Sequence, residues 1–259
     1  MKMKRKLIST LIPAVFVSIS AIAQLQGDPK ATEYYTPVPK VVTPGIACTG
    51  APSDAIVLFD GKDMDEWVLT KDPASATKWT LADHIMTVNK KAGDIQTKRS
   101  FTDFQLHIEY RIPSDITGSG QARGNSGIFL AALPKGAGGY ELQVLDNFNN
   151  STYVNGQAGS IYKQSPPLVN ACLKPGEWQM YDVVWTAPRF SVDGSVTSHA
   201  RVTVFHNGVL VQNNFELTGD TPYTGEPVYI KHGPAPIKLQ AHGDKSEPIS
   251  YRNIWVRQL

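Results

Sequence analysis

The sequence predicts an all-β sandwich or jelly roll, and three observations carry that prediction. Short runs rich in β-branched and aromatic residues recur between turn clusters over most of the chain. Several runs alternate strictly, as in Phe104-Gln105-Leu106-His107-Ile108-Glu109-Tyr110, where apolar side chains fall on one face and polar ones on the other. No long stretch repeats at a helical period, and neither strand-helix-strand alternation nor an internal repeat points to a parallel sheet, propeller or solenoid.

At the N-terminus, Lys2, Lys4, Arg5 and Lys6 precede an apolar run from Leu7 to Ala23, broken by Ser9, Pro13 and Ser18 and closing on Ala21-Ile22-Ala23. A basic start, a short apolar run and an A-x-A site read as a signal peptide over residues 1–23, cleaved near Ala23 to leave a periplasmic or secreted protein. The run falls short of the ~20 clean apolar residues that a membrane span needs. No Cys directly follows it, so no stable membrane anchor is expected. Residues 24–54 are rich in Pro, Thr and Gly without periodicity and read as an extended tail: a linker, a wrap between subunits or a docking segment.

The ordered domain is expected over residues 55–259. It opens on Ile56-Val57-Leu58-Phe59 and the turn signal Asp60-Gly61. Candidate strands follow at Lys78–Val88, Phe104–Ile112, Ser126–Ala131, Tyr140–Leu145, Gly159–Tyr162, Trp178–Thr186, Arg201–His206, Val209–Asn213, Ile237–His242 and Ile249–Val256. Asn207-Gly208, between two of them, predicts an antiparallel hairpin. A chain of 259 residues buries a sizeable core without staples. Its formal net charge of +2 and the absence of a basic stripe give no reason to expect nucleic acid as a partner. An oxidising compartment would permit the two cysteines, Cys48 and Cys172, to pair and tie the tail to the body. Their spacing does not show that the sulfurs approach, and it makes no metal site.

The segment Tyr140-Glu141-Leu142-Gln143-Val144-Leu145-Asp146-Asn147 is the most informative for chemistry. In a strand, Glu141 and Gln143 share one face, and Asp146 joins them only if the strand bulges or ends in between. Two carboxylates close together share proton work or hold a cation; the plain alternative is a solvated outer face. Asn125 enters an apolar strand behind a glycine-rich loop that carries Arg123, and such loops either admit a ligand to the backbone or merely turn. His242 is a candidate base or ligand because an unperturbed imidazole changes charge near neutrality, although a lone His is often structural. Arg252 would clamp a hydroxyl or a developing oxyanion. Lys163 and Lys238 flank apolar residues and either reach a ligand or snorkel to the surface. Among Trp67, Trp79, Trp178, Trp185 and Trp255, one or more would supply a stacking platform for a sugar, the rest being core. No nucleophile elbow or zinc-binding His-Glu-x-x-His helix is present.

Six elements in order, Leu58–Trp67, Asn125–Leu130, Tyr140–Asn147, Gly159–Tyr162, Pro175–Gln179 and Tyr251–Trp255, give a sequence that resembles the 3-keto-disaccharide hydrolase domain family from about Ala55 to Leu259. The resemblance implies a concanavalin A-like jelly roll with a sugar-sized groove on one sheet. The implied activity is cleavage of the glycosidic bond of a 3-keto-glycoside already oxidised by a separate sugar 3-dehydrogenase. A C3 ketone acidifies the C2 proton, so a base, an enolate stabiliser and an acid suffice, with water adding later. On this reading Glu141, Asp146 and His242 are the catalytic candidates, with Asn125, Gln143, Arg252, Lys163 and Arg123 binding substrate. A divalent metal on Glu141, Asp146 or His242 is compatible with the chemistry, but no ligand spacing demands it. The spacing Glu141-x-Gln143-x-x-Asp146 also looks like the E-x-D-x-x-E strand of family 16 glycoside hydrolases, with Gln for the middle Asp and a shorter final acid. A non-catalytic carbohydrate-binding module is the alternative from another class.

Overall fold

A computed structural model describes residues 28–41, 50–133 and 138–259. The signal-peptide reading over 1–23 and Cys48 lie outside the described residues. Among those described, strands form two large sheets and two small ladders. One sheet has the order β10 (Gly139–Val144), β9 (Ser126–Ala132), β17 (Lys238–Leu239), β7 (Ile95–Thr97), β3 (Trp67–Leu69) and β4 (Asp72–Ala76). The other has the order β16 (Val209–Glu216), β15 (Arg201–His206), β12 (Trp178–Thr186), β8 (Phe104–Arg111), β18 (Ser250–Gln258), β6 (Ile85–Thr87) and β5 (Thr80–Ala82), with β2 (Ile56–Phe59) also pairing with β18. β1 (Lys40–Val41) runs parallel to β11 (Val169–Asn170), and β13 (Arg189–Phe190) pairs with β14 (Val196–Ser198).

Every pairing in the two large sheets is antiparallel, and the sheets pack face to face as a concanavalin A-like jelly-roll sandwich. The alternation in β8 carries this packing: Phe104, Leu106, Ile108 and Tyr110 are fully buried, and with Tyr181, Val183 and Trp185 of the neighbouring β12 they share one core with Ile128, Leu130, Tyr140, Leu142 and Val144 of the other sheet. Each large apolar side chain so buried contributes roughly 1.5–3 kcal/mol. Polar ties also cross between sheets: Tyr181 Oη donates to the Gln143 carbonyl at 3.0 Å, and Ser126 Oγ lies 2.8 Å from Tyr251 Oη.

Local chemistry explains where the strands differ from expectation. The hairpin at Asn207-Gly208 forms with both residues at positive φ, 53° and 78°, and with His206 opposite Val209. The single strand expected over Lys78–Val88 is instead the hairpin β5–β6. Asp83 and His84 turn it at φ 51° and 61°, a left-handed pair that the chain enters without a glycine. Ile237–His242 contributes only the two residues of β17, and Gly159–Tyr162 contributes only isolated bridges, from Ile161 to Leu142 and to Ser165. The short strands β3, β4 and β7 carry too few alternating residues to announce themselves.

The described part of the tail is docked against the domain. The Val154 N–H donates to the Tyr34 carbonyl at 2.9 Å, Asn155 Nδ2 to the Thr32 carbonyl at 3.0 Å, and Lys163 Nζ to the Pro29 carbonyl at 2.9 Å.

Candidate functional site

The site lies on the face of the six-stranded sheet that points away from the core. Register places Glu141 opposite Phe129, Phe129 opposite Lys238, and Lys238 opposite Gln96, so these four form one row across β10, β9, β17 and β7. One residue pair along, Gln143 faces Gly127. The row opens into a cavity of about 900 Å3, within the range typical of ligand pockets. Its lining includes Glu141, Gln143, Asn125, His242, Lys238 and Gln121, with Tyr153, Tyr162 and Tyr223 supplying aromatic faces. A second cleft of about 710 Å3 adjoins it and shares Lys238 and Gly138.

The polar face of β10 is not the solvated surface its sequence also allowed. Glu141 is 6% exposed and Gln143 1%. Residues 159–162 occupy the free edge of the strand: the Gln143 N–H donates to the Ser160 carbonyl at 3.0 Å and the Tyr162 N–H to the Glu141 carbonyl at 3.1 Å. Burial pushes the Glu141 carboxyl up to about 8; the positive charge of Lys238 pulls the other way and Asp94 adds to the rise. Glu141 is therefore substantially a neutral acid near pH 7. Lys238 is itself buried, with Nζ 3.5 Å from the centre of the Phe129 ring and 3.6 Å from Asp94.

Asn125 and Gln143 are held as a pair, Gln143 Nε2 donating to Asn125 Oδ1 at 2.9 Å, while Asn125 Nδ2 donates to the Gln121 carbonyl at 2.8 Å. His242 follows β17 rather than lying on it, and its Nδ1 sits 2.7 Å from Asp244 Oδ2. Asp244 is in turn bound by Lys90 Nζ at 2.7 Å and by the Ser246 N–H. Burial opposes ionisation of Asp244, but the hydrogen bonds from His242, Lys90 and Ser246 outweigh it and hold the carboxyl well below its usual range. A carboxylate on Nδ1 fixes the imidazole and leaves Nε2 for other work.

The remaining sequence candidates are placed elsewhere. Asp146 follows the end of β10 and turns to Arg123, whose Nε donates to Oδ2 at 2.6 Å. Neither residue lines the pocket, and the pair closes the loop that carries Gln121 and Asn125. With Asp146 engaged there, Glu141, Asp146 and His242 do not form a ligand set. Among the described residues no group of three His, Cys, Asp or Glu side chains is spaced to hold a metal ion. Arg252 lies on β18 in the opposite sheet, bonded to Glu109 at 2.6 Å with its guanidinium 4.1 Å from the centre of the Trp178 ring. Lys163 stands at the margin, Nζ donating to the carbonyls of Pro29 and Tyr223 at 2.9 and 2.6 Å.

Trp67, Trp79, Trp185 and Trp255 are core, and Trp178 lies under Arg111 and Arg252. The pocket's aromatic rings come instead from Phe129 and three tyrosines, with Tyr153 Oη 2.8 Å from Tyr162 Oη. Cys172 is buried, which pushes its thiol up to about 12. Sequence reasoning missed Tyr153, Tyr162, Tyr223, Gln121 and Glu33. The Ile161-Tyr162-Lys163 motif was a signal for one of them; Glu33 had none.

An antiparallel jelly roll with a polar, tyrosine-walled pocket on the outward face of one sheet defines the class of protein. The family follows: residues 54–257 match the 3-keto-alpha-glucoside-1,2-lyase-like domain, and the chain belongs to that family. Membership sets it among carbohydrate-active proteins. A structure from Parabacteroides distasonis ATCC 8503, provisionally designated a glycosyl hydrolase, is 56% identical with a TM-score of 0.78, covering 89% of this chain and 96% of that one. Two more structures from that organism under the same provisional designation share the fold. One is 19% identical with a TM-score of 0.58 (80% and 94% covered), the other 22% identical with a TM-score of 0.54 (79% and 99% covered). No curated protein matched. Among the described residues no helix is long and apolar enough to cross a membrane.

Proposed function

We propose that this protein cleaves the glycosidic bond of a 3-keto-glycoside or 3-keto-disaccharide by elimination across C1 and C2. The observation that carries the reading is the presence in one pocket of a carboxylic acid held neutral by burial, Glu141, and an imidazole oriented by a carboxylate, His242 on Asp244. Paired groups whose environments set them apart in proton affinity mark acid and base roles.

His242 Nε2 takes the C2 proton, which the C3 ketone has made acidic. The ammonium of Lys238 stabilises the enolate oxygen at C3. The electron pair then forms the C1–C2 double bond as the C1–O bond breaks, and Glu141 gives its proton to the departing oxygen. Asn125 and Gln143 orient the ring, and the adjoining cleft beyond Lys238 receives the leaving group. Water adds to the unsaturated product afterwards. A sugar 3-dehydrogenase supplies the ketone, and the leader over residues 1–23 exports the protein to the periplasm or beyond.

The test incubates the purified mature protein with matched 3-keto and unoxidised disaccharides, with and without chelator, and follows released sugar by mass spectrometry. Cleavage of the 3-keto form alone, together with a transient product lacking one water, is the expected result. Cleavage of both forms would point to conventional glycan hydrolysis, and of neither to a binding module.

A further inference from the structure

We propose that residues 28–41, which lie outside the family domain, complete the substrate pocket, and that Glu33 is a substrate-contact residue selecting an uncharged sugar with free neighbouring hydroxyls. The inference rests on the reading of this pocket as a sugar site. Glu33 lines the cavity together with Glu141, Tyr153 and Tyr162, although the family match begins at residue 54.

The segment is held by more than one kind of contact. Besides the hydrogen bonds from Val154, Asn155 and Lys163, Tyr35 packs edge-on against Tyr153 with ring centres 6.4 Å apart, and the β1–β11 ladder anchors its far end. Tyr35 Oη also donates to Glu33 Oε2 at 3.1 Å, which fixes the carboxylate and leaves Oε1 to accept from a ligand. Lys163 is the positioning residue. Its one ammonium joins the Pro29 carbonyl to that of Tyr223, so it ties the segment to another part of the pocket lining.

A carboxylate only accepts hydrogen bonds, and its two oxygens suit paired hydroxyl donors. The same charge repels an anionic sugar such as a uronate. With the aromatic faces of Tyr153, Tyr162 and Tyr223 beside it, the subsite takes a neutral pyranoside and disfavours an acidic one.

The experiment measures kcat and KM of the full mature protein and of E33Q, E33A, K163A and K163R on the 3-keto disaccharide, after confirming equal melting temperatures for wild type and E33Q. Loss of one hydrogen-bonding contact is expected to raise KM about 10-fold in E33A with kcat within about twofold. K163A should do the same, K163R should restore most of the loss, and E33Q should narrow the preference for neutral over uronate substrates. KM values for E33A and E33Q within about twofold of an active wild type, with unchanged preference, overturn the inference. Hydrogen exchange with unoxidised disaccharide present supplies a readout independent of cleavage. Protection of residues 28–41 supports the inference even if no substrate is cleaved, whereas protection of β10 without protection of 28–41 overturns it.

Discussion

The Glu141 carboxyl group occupies the space above Gly127 that a side chain there would need. A Cβ built on Gly127 would clash with Oε1 and lie 2.8 Å from Cδ of Glu141. Those atoms end a flexible side chain, so the conflict resolves by moving the carboxyl group rather than the sheet. Gly127→Ala is therefore expected to fold, with a melting temperature within a few degrees of wild type, and to lose about 10- to 100-fold in kcat, a loss in the range that misplacing one catalytic group produces. Calorimetry and kinetics on the same preparation check both halves; an unfolded variant would contradict the account of that contact.

Glu141 also predicts a pH dependence. Its carboxyl titrates at about 8 in the fold and at ~4.3 in an unfolded chain. Between those values the folded state holds the extra proton, so its contribution to stability declines as pH rises through that window and is lost above about 8. In the proposed reaction it is the acid and must be protonated, so kcat should fall on the alkaline side of the same value. Glu141→Gln should abolish the alkaline limb, flatten the stability slope and reduce turnover by at least ~100-fold with modest change in affinity.

Asp244 holds His242 Nδ1 but does not line the pocket, so in the proposed mechanism it acts through His242 alone. Asp244→Asn keeps the shape but allows Nδ1 to accept rather than donate, which presents the wrong tautomer at Nε2. The expected result is a fall in kcat of about 10- to 1,000-fold with KM nearly unchanged in a variant that melts near the wild-type temperature. A merely structural role would instead lower the melting temperature and leave kcat of the folded variant in place.

The cluster on the other sheet should affect stability and not chemistry. Burial works against the Glu109 charge, but hydrogen bonds from His107, Asn253 and Arg252 overcome it and lower the carboxyl to about 2. This contribution is present above the unfolded value of ~4.3 and is lost as pH falls toward 2. Burial likewise opposes protonation of His107, and its bonds to Asp182 and Glu109 prevail, so its share is full below ~6.5 and is lost as pH rises through its higher folded value. Solvent screens part of this interaction, so Glu109→Gln should cost no more than about 2 kcal/mol at neutral pH and should blunt the acid limb of unfolding. Arg252→Ala should lower the melting temperature by several degrees while leaving kcat/KM on the 3-keto substrate within about twofold. A large loss of kcat/KM in a folded Arg252→Ala would return that residue to the site.

The alternation of β8, the Asn207-Gly208 turn and the shared face of Glu141 and Gln143 were all legible in the sequence. Each depends on nearest neighbours along the chain: the two-residue period of a strand or the left-handed backbone of two turn residues. The order of motifs likewise carried the family and its jelly roll. Tertiary structure alone decided which of the polar residues meet. Asp146 shares the Tyr140–Asn147 motif with Glu141, and Arg252 belongs to another motif as distinctive, yet one pairs with Arg123 and the other sits on the opposite sheet, because strand parity says nothing about which sheet a strand joins or what packs over it. Lys238 enters the site only through the register that sets it opposite Phe129, and Glu33 only through the docking of a segment more than a hundred residues away in sequence from Val154, Asn155 and Lys163. The proton affinity of Glu141 is decided last, since a carboxyl's charge depends on the water its neighbours exclude, and that is a property of the assembled fold.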